Sequence, residues 1–146
     1  MFPVINSIED VLPYIKDKTE FRVDRKDSYT AINYRIQKKD SFDSPQTLEC
    51  RGIKFYPDGT IAARPFQKFF NRGEKADERK DIKDCRVLEK LDGTLIHGIF
   101  LNNEYRFMSK AGITDYSMAA EELLTAKIRS FLDLMERNNL TPLFEF

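Results

Sequence analysis

Ile53-Lys54-Phe55-Tyr56-Pro57-Asp58-Gly59-Thr60-Ile61-Ala62-Ala63-Arg64 decides the fold class. Ile53 and Phe55 alternate with Gly52, Lys54 and Tyr56, the period-two pattern of a strand. Pro57-Asp58-Gly59 then reads as a hairpin turn, because proline presets one turn dihedral and glycine accepts a left-handed one. Thr60 to Arg64 returns as the partner strand, and Pro65 stops it because proline has no N–H for a ladder. A tight hairpin means antiparallel pairing.

Working outward, the same signals recur. Phe21 and Val23 alternate with polar residues, Arg25-Lys26-Asp27-Ser28 reads as a turn, and Tyr29 to Ile36 is a second strand. Thr94 to Leu101 and Glu104 to Ser109 form another hairpin about Asn102-Asn103, since asparagine tolerates positive φ. Lys110-Ala111-Gly112 ends it. A short strand is expected over Arg86 to Lys90 and a last one over Thr141 to Phe146. Ser7 can cap a helix running to about Lys18, short or kinked at Pro13, with Glu9 and Asp10 where the helix dipole favours acids. Ser117 can cap a long helix with Leu124, Ile128, Phe131 and Met135 as its buried stripe, ended by Asn138 and Asn139. Lys38 to Thr47 reads as a surface loop, and Arg72 to Asp84 as a charged, solvated connection. The expected fold is α+β: antiparallel sheets with flanking helices on one side.

Composition fits a single domain. The chain has 146 residues, 41% apolar and 33% charged, which suits a folded globular protein and excludes a disordered one. No apolar run approaches a membrane span, and no basic, apolar leader follows Met1, so no signal peptide is expected. Cys50 and Cys85 lack metal-ligand spacing and read as reduced thiols of a cytoplasmic protein. Twenty-four basic side chains balance twenty-four acidic ones. That argues against a nucleic-acid surface spread over the whole chain, though not against a local basic groove. In the final strand Phe144 and Phe146 share one face, Leu143 and Glu145 the other. Both faces suit packing, which predicts that the polypeptide is the first portion of something longer.

The chemistry centres on Leu88-Glu89-Lys90-Leu91-Asp92-Gly93-Thr94. A lysine at a strand end, followed by an acid and a glycine, can present its amine at the mouth of a pocket. Lys-x-Asp-Gly is the pattern of the lysine nucleophile in covalent nucleotidyltransferases. Alone it is a weak signal. Its company is stronger: Leu48-Glu49-Cys50-Arg51-Gly52-Ile53, Arg64-Pro65, Lys68-Phe69-Phe70-Asn71, Lys90-Leu91-Asp92-Gly93, Ser109-Lys110 and Phe144-Glu145-Phe146 follow in order. This ordered set, from about Tyr29 to the last residue, resembles the phage ATP-dependent RNA ligases that repair cleaved tRNA.

The resemblance implies an ATP-grasp-like nucleotidyltransferase domain, ATP as substrate, Mg²⁺ as metal and RNA ends as partners. AMP would pass to the enzyme lysine, then to an RNA 5′-phosphate, before attack by an RNA 3′-hydroxyl. Lys90 is the expected nucleophile and must be a neutral amine, a form that nearby cations and desolvation favour. Arg51, Lys68 and Lys110 are candidates to supply that positive field and hold the triphosphate, and the resemblance assigns Arg51 and Lys68 to the nucleotide pocket. Gly93 lets the backbone pass close to the ligand. The Glu89 backbone could read the adenine edge, Phe70 could pack on base or ribose, and Glu145 could accept from a ribose hydroxyl or assist the metal indirectly. Two later family motifs, a strand glutamate and a Lys-x-Lys pair, would fall beyond Phe146 with the RNA-specificity region. Alternatives are therefore a catalytically silent nucleotide- or RNA-binding module, or one half of a split ligase whose partner chain supplies the rest.

Each residue also has a plainer role. Lys90 alone would be a solvated strand-end lysine, and Arg51 half of a surface ion pair. Phe69 is expected in the core. Asp92 is expected to shape its turn, and His97 to be structural or at the surface rather than a general base. Tyr34 resembles a family position but is expected to pack on its strand. Lys38, Lys39 and the cluster Lys75 to Lys83 alternate with acids and are expected to be solvated rather than RNA-bound.

Overall fold

The hairpin about Gly59 forms the edge of the first sheet. The structure, a computed structural model, describes residues 2–71, 73–74 and 86–146. β1 (Phe21–Arg25), β2 (Thr30–Tyr34), β3 (Ile53–Phe55) and β4 (Ile61–Ala63) lie in chain order, all antiparallel. The β3–β4 turn closes through Gly59 N–H donating to the Tyr56 carbonyl at 2.9 Å, with Gly59 at φ +89°. A bulge shifts the register between Lys54 and Phe55. The second sheet sets β5 (Leu95–Leu101) between β6 (Glu104–Met108) and β7 (Leu143–Glu145). Asn102 and Asn103, at φ 50° and 66°, make the primed turn their chemistry favours.

Alternation decides how the sheets stack. Ile32, Ile53 and Phe55 face Ile8, Val11 and Ile15 of the N-terminal segment, together with Phe42 and Cys50. Ala31 and Ala63 face the other way, onto Ile99, Leu101 and Met108 of the second sheet. Ile96 and Phe107, on that sheet's outer face, meet Ala120 of α3 (Asp115–Glu121) and Leu132 of α4 (Ala126–Arg137). The layers run helix, sheet, sheet, helix, so helices cover both outer faces rather than one. Each fully buried Ile or Phe contributes roughly 1.5–3 kcal/mol.

Several expectations change. The first helix is broken: a 3-10 turn spans Ile8–Asp10, then α1 covers Leu12–Ile15 with Pro13 in its first turn. The Asp10 carboxylate accepts from the Asn6 and Ser7 N–H groups at 2.7 and 3.0 Å, which fixes that entry. The loop expected over Lys38 to Thr47 ends in α2 (Pro45–Glu49), capped by Ser44. The long C-terminal helix is two helices, capped by Thr114 and Thr125 rather than Ser117. Phe131 is 41% exposed, and Leu132 supplies α4's buried contact. Arg86 to Lys90 forms no strand; that segment is exposed and unladdered. Most of the expected 72–84 connection, with Lys75 to Lys83 and Cys85, lies outside the described residues. No described helix is long and apolar enough to cross a membrane.

Candidate functional site

The turn before β3 meets the turn after β6 at Gly52 and Lys110. A Cβ on Gly52 would lie 2.7 Å from the Cα of Lys110, and φ is +94°, so only glycine lets these backbones meet. Beside this contact opens a cleft of about 330 Å³, lined by Arg51, Gly93, Thr94, His97, Lys110 and Tyr116 among others.

Arg51 reaches it from the turn after α2, with its guanidinium over the Phe69 ring at 4.9 Å. Phe69 is 58% exposed, so it is a platform for Arg51 and not the core residue expected. Lys110 stands in the turn after β6, where Ser109 and Gly112 exchange backbone hydrogen bonds at 2.9 and 3.1 Å. Its amine lies over the half-buried Tyr34 ring at 5.0 Å, and Tyr34 packs on Phe42 as expected of a strand tyrosine. Gly93 crosses the end of β7: a Cβ there would come 2.6 Å from the Phe146 carbonyl oxygen and 3.2 Å from Glu145 Cγ. Thr94 and Phe146 bond reciprocally at 2.7 and 3.1 Å, which holds Glu145 beside Gly93.

The other expected residues stand apart. Lys90 and Glu89 are on the exposed segment leading to Gly93. The Lys90 side chain is 80% exposed and its amine meets the Asp92 carboxylate at 3.2 Å. The Lys68 amine sits over the rings of Phe70 at 4.8 Å and Phe42 at 6.0 Å, and Phe70 packs edge-on against Phe42. Neither Lys68 nor Phe70 lines the cleft. Thus Arg51, Gly93 and Lys110 converge with Glu145 at the margin, while Lys68 and Lys90 do not join them.

Beside the Gly52–Lys110 contact lies what sequence reasoning missed. Lys54 is wholly buried, and its amine donates to the carbonyls of Gly52 at 2.7 Å and Ser109 at 2.9 Å. Burial pushes that amine down to about 7. His97 is structural, as expected, and fully enclosed; burial, then the charge of Lys54, hold its ring well below the usual histidine range. The one sequence signal for Lys54 was its place opposite Ile53 and Phe55. Its neighbours Ala31 and Ala63, small enough to leave room for it, follow only from strand register.

Residues 49–146 match a family model described as RNA ligase. The chain belongs to this RNA ligase family. It is 31% identical over 147 aligned residues to a Thermovibrio ammonificans protein named "Putative RNA ligase", covering 95% of this chain and 38% of that one. It is 34% identical over 114 aligned residues to RNA ligase 1 of Bacteriophage TS2126, covering 71% of this chain and 29% of the relative. The chain thus spans well under half the length of these curated relatives. Among its described residues, no group of three or more His, Cys, Asp or Glu could hold a metal ion.

Proposed function

We propose that this RNA ligase family member forms the nucleotide-binding part of an ATP-dependent RNA ligase with an ATP-grasp-like nucleotidyltransferase fold. The observation that carries the reading is the convergence of Arg51, Lys110 and Gly93 on one cleft, with Gly93 three residues beyond Lys90. Two cations on facing turns suit a triphosphate, and the planar fork of Arg51 suits bidentate phosphate contact. Gly93, with no side chain, lets the end of β7 lie against it and so keeps Glu145 beside the cleft, where its carboxylate suits a ribose hydroxyl.

In this reading ATP arrives with Mg²⁺, and the chain's own residues bind and orient the nucleotide. The Lys90 amine, released from Asp92, gives up a proton and attacks the α-phosphorus. An N–P bond forms, the α–β P–O bond breaks and pyrophosphate leaves. Arg51 and Lys110 neutralise charge as it develops on the phosphates. The AMP then passes to an RNA 5′-phosphate, and an RNA 3′-hydroxyl displaces it to seal the strand.

A second reading is nucleotide binding without transfer. It is favoured by the position of the Lys90 amine, exposed and held by Asp92 off the cleft walls. Incubation with ATP labelled on the α-phosphate, plus Mg²⁺, separates the two. A longer polypeptide that carries these residues at the full length of the curated relatives is expected to take a denaturation-resistant, acid-labile label that Lys90→Ala abolishes, and these 146 residues alone to take little. Label persisting in Lys90→Ala overturns the nucleophile assignment. Binding without label in the longer polypeptide supports the second reading.

A further inference from the structure

Lys54 projects from β3 into the layer between the sheets, where Ala31 and Ala63 flank it. Its stem gains no solvent, and its amine ends on two carbonyls. Those carbonyls belong to Gly52, directly after Arg51, and to Ser109, directly before Lys110. The two cations of the cleft are therefore mounted on backbone that one buried amine ties together, at the place where Gly52 and Lys110 already touch. Next to it His97, 1% exposed, lines the cleft with an Nε2 that has no hydrogen-bond partner among the described residues.

We propose that Lys54 is a positioning residue of the cleft: by holding the Arg51–Gly52 and Ser109–Lys110 backbones together it sets both cations on one polyphosphate, and it takes up a proton when that ligand binds. The inference rests on the nucleotide reading of the cleft. A lysine ammonium bonds carbonyls about twice as strongly as a neutral amine does. With its proton affinity near neutrality, Lys54 can answer the arrival of negative charge. Among the described residues, the charged or titratable groups around it are few. Arg51 and Lys110 come from the two tied turns, His97 from β5 and Tyr29 from the position just before β2. A polyanion offsets the two cations, and the balance shifts toward ammonium at Lys54. No carboxylate of the described cleft lining competes for that role.

The test is titration calorimetry of ATP binding at about pH 8, where ATP's phosphates are ionised. Buffers of different ionisation enthalpy report proton uptake. The wild-type chain is expected to take up most of one proton per ATP. Lys54→Met, a chain of similar length without the amine, is expected to abolish that uptake and weaken binding about tenfold or more. A merely structural lysine would lower the melting temperature and leave the proton count unchanged. If Lys54→Met does not fold, the ¹⁵N resonance of the wild-type Lys54 amine, titrated with and without ATP, carries the test. Its titration midpoint should rise when ATP is bound. Wild-type binding without proton uptake, or a midpoint unmoved by ATP, overturns the inference alone. Failure of the wild type to bind ATP overturns the nucleotide reading and this inference with it.

Discussion

Gly52 lies against Lys110 so closely that a methyl group on Gly52 would overlap the Lys110 backbone, with its Cβ 2.7 Å from Cα and 3.0 Å from the carbonyl oxygen. The overlap is with backbone, which has little room to give. Gly52→Ala also forces an L-residue to φ +94°, at a cost of about 1–3 kcal/mol before any clash is counted. We expect Gly52→Ala to lower the urea midpoint clearly and to weaken ATP binding, because the turn carrying Lys110 is displaced. A variant with wild-type stability and ATP affinity would show that the two turns need not touch.

Arg51 and Lys110 should separate binding from stability. Arg51 is half-buried and Lys110 exposed, so neither supports the core. Removing a charge-assisted hydrogen bond to a ligand costs about 1.5–3 kcal/mol. Arg51→Ala and Lys110→Ala should each weaken ATP binding by roughly 10- to 150-fold while the melting temperature stays near the wild-type value. Phe69→Ala, which removes the ring under the guanidinium, should weaken binding less than Arg51→Ala does. Titration calorimetry and thermal melts on the same samples give both quantities.

Glu49 and Arg64 should behave in the opposite way. The Glu49 side chain is only 2% exposed, and Arg64 grips it through Nε at 3.0 Å and Nη2 at 2.9 Å while also donating to the Pro3 carbonyl at 3.0 Å. Arg64→Ala leaves a buried carboxylate without its partner, which costs about 3–5 kcal/mol. The double variant Glu49→Leu with Arg64→Leu should recover much of that loss, because no charge is then stranded. Urea midpoints of Glu49→Leu, Arg64→Leu and the double variant measure the coupling.

The hairpins were legible because their turns are chemically local. Pro57-Asp58-Gly59 and Asn102-Asn103 announce their dihedrals without help from the rest of the chain. Arg86 to Lys90 misled for the complementary reason. Alternation alone cannot supply a neighbouring strand, and Val87 and Leu88 stay exposed. The helix break near Thr125 was hidden because the apolar stripe continues across it, although a capping threonine was in plain sight. Of the residues expected around a nucleotide, Arg51, Gly93 and Lys110 line one cleft, with Glu145 at its margin. The burial of Lys54 was not legible, because it depends on which residues stand across from it in β2 and β4.

Lys54 and His97 also give the fold a pH dependence of definite sign. Burial pushes the Lys54 amine from its ordinary 10.5 down to about 7. Between those values the unfolded chain holds a proton that the folded chain has released, so stability rises with pH. His97 is held well below its ordinary 6.5 by burial and by Lys54. Below that value the unfolded chain protonates the ring while the folded one resists, so stability falls on acidification. Cys50 opposes both at the alkaline end. Burial raises its thiol from 9.0 to about 12, so above about pH 9 the unfolded chain loses a proton that the fold retains. Stability should therefore climb from about pH 5 to about pH 8.5 and then flatten or turn down. Urea midpoints across that range check the curve. Lys54→Met should remove the climb above neutrality and leave the acid limb, which belongs to His97. A climb that persists unchanged in Lys54→Met would mean that another group carries it, and that the amine is not shielded from water as its surroundings require.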